Sequence, residues 1–97
     1  MNKVDGNSNS VIGEKNNVEG DKNSAKGNQN LVNGSSNTIA GDKNEVKGNN
    51  NGVGGSNNTV EGSNNTALGN NNALINASSN QVNGSYNTIS NGNNNFV

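Results

Sequence analysis

A seven-residue beat runs through this chain almost from end to end. Gly55-Ser56-Asn57-Asn58-Thr59-Val60-Glu61 is followed at once by Gly62-Ser63-Asn64-Asn65-Thr66-Ala67-Leu68, and both fit G-x-x-N-x-V-x with Val or Ala sixth. After a partial unit, Asn2-Lys3-Val4-Asp5, thirteen units open at Gly6, Gly13, Gly20, Gly27, Gly34, Gly41, Gly48, Gly55, Gly62, Gly69, Ala77, Gly84 and Gly92. Asn stands fourth in every one, from Asn9 to Asn95, and Val, Ile, Leu or Ala stands sixth. Asn76 and Asn91 are single-residue insertions that put the later units out of step. A short fixed period decides the architecture before any other signal does.

A heptad first suggests a coiled coil, which needs two apolar positions per repeat. This chain has one. Glycine in every turn would also cost a helix about 1 kcal/mol per repeat, and Asn is a poor helix former. In a strand, by contrast, the fourth and sixth residues point to one side and the fifth and seventh to the other. Gly-x-x supplies a corner where positive φ is easy. Each heptad is then one short strand plus one corner. Two heptads make a 14-residue coil, and about seven coils stack into an all-β, flattened β-solenoid that takes in residues 1–97 as one repeat domain. With strands roughly 4.7–4.9 Å apart, the stack is expected to be on the order of 33 Å long.

The interior follows from the same positions. Sixth-position side chains from the two sides form a thin Val-rich core. Fourth-position Asn side chains form inward ladders, bonding backbone and the Asn one coil away. A buried amide without partners costs about 1–3 kcal/mol, so an Asn in every repeat implies a satisfied ladder.

Composition bounds the function. Only 25% of residues are apolar, a value that suggests disorder, but the net charge of −1 and the strict beat argue for a fold. Without Cys or His, disulfides, thiolate or imidazole metal sites and several common catalytic constellations drop out. A near-neutral chain has no electrostatic pull toward nucleic acid or anionic membrane, and no apolar run spans a bilayer. The carboxylates of Glu14-Lys15, Asp21-Lys22 and Asp42-Lys43 fall at corners, where solvated salt bridges are the ordinary outcome. The expectation is a protein that is no enzyme, with no cofactor and no metal. Met1-Asn2-Lys3-Val4-Asp5 is no signal peptide, so a secreted native form would have had its signal removed.

If alternate heptads fall on opposite faces, the outward fifth and seventh residues can be sorted. One face carries Lys3/Asp5, Asn17/Glu19, Leu31/Asn33, Glu45/Lys47, Thr59/Glu61, Ala73/Ile75 and Thr88/Ser90, six of them charged. The other carries Ser10/Ile12, Ser24/Lys26, Thr38/Ala40, Gly52/Gly54, Thr66/Leu68, Gln81/Asn83 and Phe96, with one charge. We call them the charged face and the low-charge face. No residue after Glu61 is charged. The low-charge face is the candidate binding surface, through Ser10, Ile12, Ser24, Thr38, Ala40, Thr66, Leu68 and Gln81. The alternative is the later part of the charged face, at Thr59, Ala73, Ile75, Thr88 and Ser90.

The run Gly-Ser-Asn-Asn-Thr-Val-Glu-Gly-Ser-Asn-Asn-Thr-Ala, with Gly34-Ser35-Ser36-Asn37-Thr38-Ile39 and Gly84-Ser85-Tyr86-Asn87-Thr88-Ile89, resembles the ice-binding proteins of freeze-tolerant grasses such as perennial ryegrass. Their repeat is x-x-N-x-V-x-G, with occasional one-residue insertions before the Gly like Asn76 and Asn91, and the resemblance covers essentially the whole chain. It implies a left-handed β-roll with a Val core, inner Asn ladders and one flat face that binds ice. It also implies inhibition of ice recrystallisation with modest thermal hysteresis, and an extracellular location, the apoplast in a plant. The ice surface would be the partner of a monomer. Two departures stand out: Thr and Ser are sparser here, and Lys, Glu and Asp occupy outer positions of the first half. The beat is also similar to that of the head domains of bacterial trimeric autotransporter adhesins, which prefer Ser and Ala where this chain has Asn and Val. An adhesin head, or a synthetic β-roll without activity, stays open beside the ice-binding reading.

Overall fold

The computed structural model describes every residue from Met1 to Val97. Its strands are β1 (Lys3–Asp5), β2 (Ser10–Ile12), β3 (Asn17–Glu19), β4 (Ser24–Lys26), β5 (Leu31–Ser35), β6 (Thr38–Ala40) and β7 (Glu45–Asn49), then β8 (Gly52–Gly54), β9 (Thr59–Ser63), β10 (Thr66–Leu68), β11 (Ala73–Ser78), β12 (Gln81–Asn83) and β13 (Thr88–Ser90). Odd-numbered strands form one sheet in the order β1-β3-β5-β7-β9-β11-β13, and even-numbered strands form the other. All pairing is parallel and advances one coil at a time, Lys3 beside Asn17 and Ser10 beside Ser24. Parallel neighbours need a long connection; here the rest of the coil, with its strand of the opposite sheet, supplies it. Thirteen strands make six and a half coils, and a bridge between Gln81 and Phe96 carries the second sheet into the seventh. The stack measures 34 × 20 × 13 Å, close to the length its strand spacing predicts. The all-β solenoid with 14-residue coils is therefore the fold this sequence adopts.

Between the sheets lies a single row of aliphatic side chains. Val18, Ala25, Val32, Ile39, Val46, Val53, Val60, Ala67, Leu74, Val82 and Ile89 are all buried. Each fully covered Val or Ile contributes on the order of 1.5–3 kcal/mol. The Asn ladders flank this row. Around Asn44 every polar group is used: its N–H donates to Asn30 Oδ1 (3.0 Å) and its carbonyl accepts from Leu31 N–H (2.8 Å). Its Nδ2 reaches Asn30 Oδ1 (3.2 Å) and the Gly55 carbonyl (2.8 Å), while its Oδ1 accepts both N–H and Nδ2 of Asn58 at 3.0 and 3.1 Å. No buried side-chain nitrogen or oxygen lacks a partner.

The corners hold more order than Gly-x-x suggests. Every third-position residue is left-handed, with φ near +60°, and none of them is glycine: Lys15, Lys22, Gln29, Lys43 and Tyr86 adopt it beside Asn57, Asn64 and Asn71. A left-handed Lys or Tyr costs strain on the order of 1–3 kcal/mol, which the coils above and below impose. The opening glycine is needed twice over. Gly41 has φ +135°, and a Cβ there would run into the carbonyl of Gly55 one coil away.

The insertions release that requirement. Asn76 takes φ +50° and Asn91 φ +55°, and neither Ala77 nor Gly92 behind them has a positive φ. The inserted Asn absorbs the left-handed turn, the pairing register shifts between Leu74 and Ala77, and Ala77 joins the buried core. Asn76 Nδ2 then donates to Asn91 Oδ1 (3.2 Å), so the second bulge stacks on the first.

One expectation fails at the corners. The structure contains a single ion pair, Lys47 Nζ to Glu45 Oε1 at 3.1 Å on β7, and none within Glu14-Lys15, Asp21-Lys22 or Asp42-Lys43. The second-position acids Asp21 and Asp42 have a different use. Asp21 Oδ1 accepts the Asn7 N–H and Asp42 Oδ1 the Asn28 N–H, each at 2.8 Å, and Asn28 Oδ1 accepts the Glu14 N–H at 3.0 Å. These side chains form outer rungs between coils, and the residue that follows each of them, Lys22, Lys43 or Gln29, is left-handed.

Candidate functional site

The pleat and the register together build the outer surfaces. On the low-charge face, Ser10, Ser24, Thr38, Gly52, Thr66 and Gln81 stand in one column, each in register with the next. Ile12, Lys26, Ala40, Gly54, Leu68 and Asn83 form the second column on the same pairings. Steps of roughly 4.7–4.9 Å separate successive residues of a column. No bulge interrupts this sheet, because both insertions lie at the corner that leads into it and are absorbed there. Ser10, Ile12, Ser24, Thr38, Ala40, Leu68 and Gln81 are exposed and Thr66 is half-buried, so the structure brings all eight candidate residues to one surface. Gly52 and Gly54 leave a shallow gap at its centre, where a Cβ on Gly52 would meet nothing within 4 Å. Lys26 is the one charge, beside Ile12 and Ala40.

The alternative residues lie on the opposite sheet. Thr59, Ala73 and Thr88 share a column, and Ile75 pairs with Ser90. The register break between Leu74 and Ala77 cuts through this group, and Glu45, Lys47 and Glu61 adjoin it. It is a shorter array with a fault in it.

Neither surface has a cavity, and nowhere do three His, Cys, Asp or Glu side chains converge. What the low-charge face offers is a flat grid of hydroxyls, methyls and bare backbone at strand spacing. Such a grid can order water over its surface. Sequence reasoning found these columns but missed the central gap, although Gly52-Val53-Gly54 carried its signal.

A flattened roll of parallel β-coils with inner Asn ladders and one outer sheet that carries a single charge defines a class of two-sided β-solenoids. The family model described as grass antifreeze beta roll matches residues 1–68, and the chain belongs to that family of ice-binding proteins. No curated protein matches the chain closely enough to align with it. The matched part ends before the coils that hold Asn76 and Asn91, which continue both sheets in the same alternation.

Proposed function

We propose that this protein adsorbs to ice through the low-charge face, at Ser10, Ile12, Ser24, Thr38, Ala40, Thr66, Leu68 and Gln81, and thereby inhibits ice recrystallisation with modest thermal hysteresis. One observation carries the choice of face: its two columns run in unbroken register with a single charge. Charged groups hold their own hydration shells, whereas spaced hydroxyls and methyls let an ordered layer of water merge with the lattice. Molecules pinned on the ice front force it to curve between them, and small crystals stop feeding large ones. The protein acts as an extracellular monomer, with no enzymatic step, no cofactor, and neither nucleic acid nor membrane as partner.

The first test is a recrystallisation assay on frozen wafers. Crystals stay small at micromolar protein or below; coarsening as in buffer alone sinks the activity. The face is tested by paired substitutions. Thr66→Tyr or Thr66→Lys removes most of the activity, whereas the same changes at Thr59 leave most of it. Equal losses would place the surface elsewhere. Light scattering is expected to show a monomer, and a trimer would favour an adhesin-like head.

A further inference from the structure

The repeat separates two populations of Asn. Ladder residues such as Asn58 and Asn65 have their amides fully engaged. They also can never head an Asn-x-Ser/Thr triplet, because the residue two places on is always the apolar sixth position. Asn-x-Ser/Thr without Pro is the acceptor signal for N-linked glycosylation in the secretory pathway. Five triplets of this kind occur, at Asn33, Asn57, Asn64, Asn76 and Asn83, and all five Asn side chains are exposed.

Their places in the coil differ. Asn33 ends the outward part of β5 on the charged face, and Asn83 stands beside Leu68 on the low-charge face. Asn76 already donates to Asn91 Oδ1 (3.2 Å). Asn57 and Asn64 are third-position residues at φ +60°, at the corners on opposite edges of the roll, and each is followed at the required distance by Thr.

We propose that Asn57 and Asn64 are N-glycan attachment sites. The Nδ2 of each bonds to the anomeric carbon of an oligosaccharide as that carbon leaves its lipid pyrophosphate carrier, and the amide gives up one proton. The two glycans then project from the two edges and leave both sheets bare, so a hydrated polymer and a flat adsorbing surface coexist on a plate 13 Å thick. The inference rests on the extracellular, ice-adsorbing reading above.

The test carries the full chain through a eukaryotic secretory pathway behind a cleavable leader, followed by intact mass measurement. N-glycanase in heavy-oxygen water then marks each formerly modified Asn as labelled Asp. Marks are expected at both Asn57 and Asn64, and Asn57→Gln and Asn64→Gln should each remove one glycan. Both variants should fold, because Gln29 already holds the same corner position at φ +59°. Secreted protein at its unmodified mass, or with either residue unmarked, overturns the proposal. Ice adsorption of the glycosylated and enzymatically trimmed forms should be equal, and weaker adsorption with the glycans on overturns their placement at the edges. If neither form adsorbs, the ice reading fails while the glycan map still decides the attachment sites.

Discussion

Thr59 and Thr66 hold the same place in consecutive heptads, yet their outer surroundings have little in common. Thr59 has Glu45 beside it in the sheet and Glu61 along its own strand; Thr66 has Gly52 and Leu68. Behind them the two sheets are alike. Asn58 and Asn65 each donate to a first-position carbonyl one coil on, at 2.8 and 2.9 Å, and Val60 and Ala67 are both fully buried. The inside of the roll accepts one answer on both sides, while the outside accepts nearly any. The outer residues of one surface can therefore change without touching what holds the coils together.

The hardest blow to this picture is a change inside the shared frame. Gly41→Ala places a Cβ against the Gly55 carbonyl at φ +135°, and should cost more than about 4 kcal/mol, or unfold the stack. Circular dichroism melting checks it. A variant that melts like the parent would mean that the close stacking of first-position backbones is not required. Next come the ladders. Asn58→Ala strands the Asn72 N–H and the Gly69 carbonyl, and Asn51→Ala strands the Asn65 N–H and the Gly62 carbonyl. Each should cost about 2–5 kcal/mol, and urea titration should find the two losses similar. A large gap between them would break the equivalence of the two interiors.

The outer surfaces respond more gently. Gly52→Thr fills open space and completes the column from Ser10 to Thr66. It should add about 0.5–1 kcal/mol and raise recrystallisation inhibition as well. A more stable but no more active variant would count against the low-charge face. The smallest effect belongs to the charged face. Glu45→Gln breaks a half-exposed ion pair, worth at most about 0.5 kcal/mol, and salt should erase the difference between variant and parent.

How much of this the sequence carried depends on the position within the heptad. The first, fourth and sixth residues were readable because backbone clash, amide satisfaction and aliphatic burial each admit few side chains. The alternation of faces was readable because strand periodicity leaves no freedom once the coil length is known. The third position was not. Asn57 or Asn71 would suit a left-handed residue, but Lys15, Gln29 and Tyr86 carry no such signal, and the neighbouring coils set their conformation. The second position misled, because Asp21 beside Lys22 looks like a pair until the Asn7 N–H one coil below is placed. Ala77 looked like a plain exception to glycine; only the backbone shows that Asn76 takes over the left-handed turn. The low-charge face was legible as a set of residues, and its unbroken register needed the pairing.

Because the two ladders make the same bonds, the core has no means of counting in fourteens. Removing one whole heptad, Gly41 to Lys47 for instance, would leave every later coil able to close on the one below. It would also carry each later strand to the opposite side of the roll. Thr66 and Leu68 would then share a surface with Asn17 and Glu19, and Thr59 and Glu61 one with Ser10 and Ser24. Such a chain would keep most of its stability while its two surfaces became mixtures of the present ones. The core would accept either phase, and only the composition of the two surfaces would register the change.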